Sequence, residues 1–158
     1  MRALIQRVRH ASVTVDGETV GAIQKGFLVL LGVNETDTDA EVSMLTEKLL
    51  KLRIFADSDD KTNCSIQDVG GELLIVSQFT LYADCRKGTR PSFSHAGKPD
   101  EANRLYELFV SQCRAVIPKV ECGVFGAHMD VELLNDGPFT VMLDTDELKR
   151  PRRAQSEQ

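Results

Sequence analysis

The N-terminal part of the chain alternates apolar and polar side chains, which is typical of strands buried on one face. The alternation predicts strands over 3–9 and 12–15, and the Asp-Gly pair at 16–17 predicts a hairpin turn into a third strand over 18–23. An apolar run over 27–33 predicts a strand buried on both faces. The first residues are also rich in arginine, as transit peptides are, but their alternation favours strands that begin the fold.

Two later segments have helical spacing. Thr38 and Glu41 have the spacing of a capping box, and apolar residues follow at intervals of three and four, which predicts a helix over 39–53. Pro99 occupies a favoured first-turn position of a second helix, which Pro118 is expected to end. The buried stripe predicted for this second helix consists of Leu105, Leu108, Phe109, Gln112 and Val116.

The other segments complete a β-rich pattern without repeats. A loop is predicted over 56–71, a buried strand from residue 72, a long surface loop over 82–98, and closing strands over 119–125, 129–135 and 139–144. The fold class expected is α/β: a β-rich, mixed-sheet single domain over 1–146, with about eight strands and two main helices. Residues 147–158 are expected to be a disordered, polar and basic tail.

Charge and cysteine content narrow the function classes. The net charge of −5 argues against binding of polyanions by bulk charge alone, although four of the nineteen basic residues lie in the tail. The tail therefore serves either to solvate the chain or as an arm that contacts phosphates. The four cysteines show neither a C-x-x-C pair nor zinc spacing, so we expect reduced thiols, a cytoplasmic location, and no metal, cofactor or membrane partner.

No standard catalytic template is present: the sequence lacks a P-loop, a dinucleotide fingerprint, a nucleophile elbow and a zinc-protease helix. Three segments remain informative, namely "SQFTL" at 77–81, "RPSF" at 90–93 and "NDGPFT" at 135–140. The first places polar side chains at the end of a buried strand. They either mark the exit of the strand into solvent or form a small polar pocket for an oxyanion or an amino group.

The third segment combines a turn signal with a proline. Asp136-Gly137 is typical of a tight hairpin turn, but Pro138 has no N–H to donate to a strand ladder, so an ordinary hairpin is not expected. Composition alone favours a trans Gly137-Pro138 bond, whereas a cis bond would give a sharp and rigid bend.

Ser77-Gln78-Phe79-Thr80-Leu81, taken together with Asn135–Thr140, resembles the D-aminoacyl-tRNA deacylase (DTD) family. The resemblance extends through "ALIQRV" at 3–8, "GFLVLLGV" at 26–33 and "GVFGAHMDVELLNDGP" at 123–138, so it covers nearly the whole chain up to residue 144. It departs from the family pattern at Phe139, where a smaller residue is common, and in the longer tail.

The resemblance implies a homodimeric hydrolase that cleaves the ester between a D-amino acid and the 3′-terminal adenosine of aminoacyl-tRNA. It implies a cis Gly137-Pro138 step that enters the pocket of the partner and rejects L-amino acids by collision with main-chain atoms. Glycine, which has no side chain, would pass this gauge, as when it is mischarged on tRNA-Ala. The catalytic residues implied are Ser77, Gln78 and Thr80, and the substrate-binding residues are Phe79, Phe125, Met129, Asn135, Gly137 and Pro138.

Two chemical routes stay open for the hydrolysis. Thr80 could act as a nucleophile, although no histidine or lysine base is adjacent to it in sequence. Alternatively, water could attack, assisted by backbone N–H groups near Phe79 and Thr80 and by the 2′-hydroxyl of the tRNA itself. For Phe125, ordinary core packing is an equally simple interpretation. A binding module without activity and a threonine esterase that acts without RNA are the rival classes.

Overall fold

The computed structural model describes residues 1–152 and contains eight strands, three α-helices and one 3₁₀ turn. The strands are β1 (Arg2–Val15), β2 (Glu18–Ile23), β3 (Gly26–Gly32), β4 (Phe55–Ala56), β5 (Thr62–Cys64), β6 (Glu72–Ser77), β7 (Val120–Cys122) and β8 (Asp130–Asp144). The helices are α1 (Asp39–Lys51), α2 (Pro99–Arg114) and the short α3 (Thr145–Lys149), and the 3₁₀ turn spans Phe79–Tyr82. In the described residues no helix is long and apolar enough to cross a bilayer.

The mixed α/β fold predicted from the sequence is confirmed. Strand β1 pairs antiparallel with β2, β3 and β8, whereas β3, β6 and β7 run parallel to one another. The sheet nearly closes into a barrel because β2 approaches β7: a Cβ atom on Gly21 would lie 2.8 Å from the carbonyl oxygen of Cys122. Strands β4 and β5 form a separate two-stranded hairpin within the predicted loop.

Strand β1 is continuous, whereas two strands were predicted over its length. Its first half pairs with β3 and its second half with β2, and the ladder with β8 shifts register around Val8. Ala3 and Ile5 therefore face the main core, but Ala11 and Val13 face the second core. The break in alternation that suggested two strands marks the point at which the buried side chains of β1 switch from one core to the other.

Two cores lie on opposite faces of the sheet. Helices α1 and α2 cover one face, where Leu45, Leu49, Leu105 and Phe109 are fully buried. The smaller second core lies between β1, β2, β3 and β6 and contains Leu28, Leu74 and Val76. The stripe of α2 follows Leu105 and Phe109 as predicted, but Val116 lies beyond the helix and is exposed.

The first residues of the predicted tail are folded, which corrects the expectation of disorder from residue 147. They belong to α3, whose Lys149 lies 2.5 Å from Glu41 Oε1 on α1, and Thr145 N donates to Met1 O at 2.9 Å. Asp144 caps the helix because its carboxylate accepts a bond from Asp146 N. The prediction for 153–158 lies outside the described residues.

Candidate active site

A cavity of 670 Å³ opens where β6 ends, beside the start of α2 and the segment that enters β8. The residues of the first sequence motif that line it are Ser77, Gln78 and Phe79. Its other walls comprise Val33, Val76, Phe93, Ala96, Gly97, Lys98, Pro99, Ala102, Phe125, Gly126, Ala127, His128, Met129 and Val131. Such a concave, mostly apolar site with a few polar groups at one end is typical of a small-ligand pocket.

The polar end of the pocket is built by the transition from strand to 3₁₀ turn. Gln78 N donates to Leu31 O at 2.8 Å, which is the last bond of the β3–β6 ladder. Phe79 and Thr80 then begin the turn, and their N–H groups have no protein acceptor among the described residues. The first N–H groups of any helix are free in this way, so the strand end presents two donors for an oxyanion.

Thr80 itself does not line the pocket. Its hydroxyl accepts a hydrogen bond from the Gln78 side-chain amide. In residues 1–152 no histidine, lysine or carboxylate is hydrogen-bonded to this hydroxyl. The structure therefore brings Gln78 and Thr80 together, but it provides no base for the Thr80 hydroxyl.

Aromatic side chains shape the mouth and the floor. Phe79 is 56% exposed, and its ring meets the Phe93 ring edge to face at 4.9 Å. Phe125 is half-buried and lies 6.0 Å from the Tyr106 ring, whose hydroxyl donates to Ile75 O at 2.8 Å. Burial raises the pKa of Tyr106 well above its usual range, so this hydroxyl stays neutral and supports the wall that Phe125 forms.

Met129 also lines the pocket, and its sulfur contacts the turn that precedes β8. Val124 N lies 3.4 Å from the Met129 sulfur, and a Cβ atom on Gly123 would lie only 2.5 Å from that sulfur. The glycine therefore lets the thioether lie against the backbone. Phe125 and Met129 thus occupy the positions at the pocket that the resemblance predicts.

The second motif lies elsewhere, in a bulge of β8. On β1, Gln6 pairs with Thr140 while Val8 pairs with Asn135, so the residues between them on β8 are pushed out of the ladder. The two strands predicted over 129–135 and 139–144 are one strand, since the chain continues through the bulge. The bond between Gly137 and Pro138 within the bulge is cis, as the resemblance implies, and both residues are exposed.

Two side chains fix the shape of this bulge. Asn135 Nδ2 donates to Arg7 O and to Phe139 O, both at 3.0 Å, and Asn135 Oδ1 accepts from Phe139 N at 3.1 Å. Arg7 Nε donates to Asp136 O at 3.1 Å, and its guanidinium lies 4.7 Å from the centre of the Phe139 ring. Asn135 therefore braces its own strand and does not line the pocket of its own chain.

Arg7 is the main functional candidate that sequence reasoning missed. Its side chain is only 15% exposed, and a second nitrogen donates to Ile54 O at 2.6 Å. The available signal was its position: Arg7 continues the series of Ala3 and Ile5, which face the helices. An arginine in register with buried residues requires acceptors, and the bulge supplies one of them.

One chain does not bring the two motifs together. Val131, on the pocket wall, pairs with Val13, whereas Asn135 pairs with Val8. At about 3.3 Å per residue, the bulge lies roughly 16 Å from that wall along the strand. Ser77, Gln78, Phe79, Phe125 and Met129 therefore form one site, and Gly137 and Pro138 lie outside it.

The charges beside the pocket are partly paired. Asp84 holds Arg86 through two side-chain bonds of 2.9 and 2.7 Å. The Arg86 guanidinium and its backbone N–H hold the pKa of Asp84 well below its usual range. Within residues 1–152 no group of three or more His, Cys, Asp or Glu side chains could hold a metal ion.

Comparison with known proteins gives one consistent family. The family model described as D-Tyr-tRNA(Tyr) deacylase matches residues 4–144. A D-aminoacyl-tRNA deacylase of Thermosipho africanus is 57% identical over 145 residues, covering 92% of this chain and 97% of the relative. One of Chloroflexus aurantiacus is 58% identical over 156 residues, covering 99% of this chain and 98% of the relative.

A solved structure agrees with these relatives in fold. The protein described as the c-Myc DNA unwinding element binding protein superposes with a TM-score of 0.87 at 41% identity, covering 91% of this chain and 98% of that one. The fold, the strand-end pocket and the two sequence motifs agree with the match to the family model. The chain belongs to the D-Tyr-tRNA(Tyr) deacylase family of aminoacyl-tRNA hydrolases.

Proposed function

We propose that this chain hydrolyses the ester of D-aminoacyl-tRNA at the strand-end pocket, releasing the free D-amino acid and the tRNA. Family membership and the shared name of the relatives support the activity. The observation that carries the location is the pair of free N–H groups of Phe79 and Thr80 beside the cavity. The cytoplasm, where aminoacyl-tRNA is used in translation, is the location we propose for the reaction.

Water is the nucleophile we favour. It adds to the ester carbonyl carbon, and the negative charge that develops on the carbonyl oxygen is stabilised by the two N–H donors. The proton of the water passes through the 2′-hydroxyl of the terminal adenosine to the departing 3′-oxygen. The engagement of the Thr80 hydroxyl by Gln78 supports this route over attack by Thr80. Gln78 then acts by holding the turn, and Ser77 lines the pocket.

We further propose that a second copy of the chain supplies the chirality gauge. The exposed Gly137-Pro138 step lies too far from the pocket of its own chain, and its surroundings hold it firmly in one shape. If the adenosine and the α-amino group are held, the side chain of a D-amino acid points out of the pocket. The side chain of an L-amino acid would instead run into the main-chain carbonyl oxygens of the step, which cannot swing aside as a rotamer does.

The homodimer follows from the same proposal. Strand β8 has β1 as its one strand partner among the described residues, so its other edge is free. Leu134 and Met142 on β8 are each 47% exposed. A free strand edge with exposed apolar side chains favours association with another copy.

The decisive experiment compares one tRNA charged with D-tyrosine, L-tyrosine or glycine. We expect rapid release of D-tyrosine, release of L-tyrosine at the spontaneous rate, and measurable release of glycine, because glycine has no side chain to collide. Equal release of both tyrosine enantiomers, or glycyl-tRNA left intact, would refute the steric gauge.

The rival classes give different results in the same assay. A binding module without activity would leave every charged tRNA at its spontaneous rate. A threonine esterase would hydrolyse small esters such as p-nitrophenyl acetate without RNA.

A further inference from the structure

Residues 84–98 fold back on themselves, and the later part of this segment, from Phe93 to Lys98, lines the pocket. Asp84 and Ser92 exchange two backbone hydrogen bonds of 2.7 and 2.9 Å, which close the base of a loop. Phe93 then contacts Phe79, and Lys98 lines the cavity. The loop is thus fixed against the site rather than extending freely from the protein.

The charge of this segment is opposite to that of the whole chain. It contains four basic residues and one acidic residue, although the chain carries a net charge of −5. Arg86 is held by Asp84 through its two side-chain bonds. Lys87, Arg90 and Lys98 are exposed and form no ion pair or side-chain hydrogen bond with any described residue. We call these three residues the cationic rim.

Several other cations of the chain are engaged by acids. Lys149 is bound to Glu41, Arg150 to Glu147 and Lys119 to Glu72. Even an exposed pair reduces the charge that a distant anion experiences. In the segment whose last residues line the pocket, the cationic rim therefore carries unpaired positive charge, although the net charge of the chain is negative.

We propose that the cationic rim binds the backbone phosphates of the tRNA acceptor strand that precedes the terminal adenosine. This inference rests on the proposed function, which places that adenosine in the pocket. The strand must leave the pocket through its mouth, where Lys98 lines the cavity and where the closed loop that carries Lys87 and Arg90 leads to it. Binding there explains how an acidic protein holds a polyanion: by a local patch rather than by net charge.

The test compares two substrates that share the reacting ester. One is D-tyrosyl-tRNA, and the other is D-tyrosyl-adenosine, obtained from it by ribonuclease digestion and lacking the phosphates. The test variant is Lys87→Ala/Arg90→Ala. The matched control is Lys48→Ala/Lys61→Ala, which removes the same charge from exposed positions on α1 and in the β4–β5 hairpin.

For the test variant we expect a raised KM for D-tyrosyl-tRNA and unchanged kcat/KM for D-tyrosyl-adenosine. The slope of log KM against log salt should fall by about 1.4, since each contact to a single strand contributes about 0.7. The KM of the original chain should then rise about sevenfold more than that of the variant between 50 and 200 mM salt. Lys87→Arg/Arg90→Lys should restore the original behaviour.

Two results distinguish the failure of this inference from the failure of the proposed function. Equal KM values and salt slopes for the test and control variants would overturn the cationic rim while leaving the deacylase intact. If the original chain releases no D-tyrosine from either substrate, the proposed function itself fails.

Discussion

The Thr80 hydroxyl accepts a hydrogen bond from the Gln78 side-chain amide and has no histidine, lysine or carboxylate base bonded to it among the described residues. In the 3₁₀ turn that Phe79 and Thr80 begin, the Thr80 N–H has no acceptor among the described residues. The motif singles out the end of β6, but only the structure shows which polar atoms of Thr80 have hydrogen-bond partners.

Thr80→Ala should therefore have a mild effect. We expect kcat for D-tyrosyl-tRNA to fall less than about tenfold, because the backbone N–H donors are retained; loss of a nucleophile typically costs on the order of 10⁴ or more. Single-turnover kinetics give the measurement, with Thr80→Ser as the control that keeps the hydroxyl. A loss approaching that of an enzyme without its nucleophile would establish the covalent route.

Gly137 is a position where a side chain cannot be accommodated. Its φ is +141°, and a Cβ atom there would lie 2.9 Å from Phe139 N and 3.2 Å from an Arg7 guanidinium nitrogen. A substitution would shift the bulge and its brace together, because both neighbours belong to the network that holds the step.

Gly137→Ala should abolish deacylation of D-tyrosyl-tRNA or its discrimination against L-tyrosyl-tRNA, and should destabilise the fold by about 1–3 kcal/mol. Gly70→Ala is the control, because Gly70 also has a positive φ but nothing within 4 Å of an added Cβ. The control should keep full activity, measured together with thermal unfolding. Intact activity and discrimination in Gly137→Ala would argue against the gauge and for a binding module.

At the scale of elements, helices and strands with an uninterrupted hydrophobic period were predicted correctly, whereas strands in which the period is interrupted were not. The helix predicted over 39–53 is α1, and the strand predicted over 27–33 is β3, because both have one continuous environment. β1 and β8 were each divided in two because alternation assumes a constant face. The change of face at Val8 and the bulge at Gly137 depend on which strands lie alongside, which no local pattern specifies.

For the candidate site, too, the sequence predicted what a local pattern encodes and missed what depends on contacts between distant segments. Strand-end polarity and the family motif placed Ser77, Gln78 and Phe79 at the pocket. Arg7 was missed because its acceptors, Asp136 O and Ile54 O, are distant in sequence and become its neighbours only through the sheet. The local sequence around an arginine in an alternating strand does not indicate which distant residues will accept its hydrogen bonds.

The capping box of α1 also binds α3, because Glu41 accepts a hydrogen bond from Lys149. Burial opposes the charge on Glu41, but bonds from Lys149 and from the Thr38 side chain and backbone outweigh it and lower its pKa to about 2. Because the folded pKa lies below the unfolded value, this carboxylate contributes stability above about pH 5. That contribution is lost as the pH falls toward 2.

Glu41→Gln should therefore lower Tm by a few degrees at pH 7, and the difference from the original chain should shrink between pH 5 and pH 2. Thermal unfolding followed by circular dichroism across this range gives the measurement. Glu47→Gln, on the exposed face of the same helix, is the control. A gap that stays constant with pH would show that packing, rather than the charge, is responsible.

At the scale of the whole molecule, the pocket and the bulge are separate within one chain, and we propose that a second copy brings them together. Among the described residues, the Gly137-Pro138 bulge does not line the strand-end pocket. Both are connected by β8, whose outer edge is free among the described residues.

Met142→Glu should therefore convert a dimer into monomers and lower activity on D-tyrosyl-tRNA in parallel. Sedimentation velocity and the deacylation assay would be run at the same protein concentrations. Val116→Glu is the control, since Val116 is exposed to a similar degree, at 42%, but follows α2. A fully active monomer would refute the shared site.

One continuous strand, β8, carries both Val131 of its own cavity wall and the protruding Gly137-Pro138 step. In the assembly we propose, each copy would contribute its own pocket at one end of this strand and insert its Gly137-Pro138 step into the pocket of the partner at the other end. A distortion that tilts the strand would then displace the Gly137-Pro138 step in the partner's pocket and, at the same time, change the shape of the pocket in its own chain. The two active sites would therefore be coupled through β8, so a structural defect in one copy would impair the activity of both.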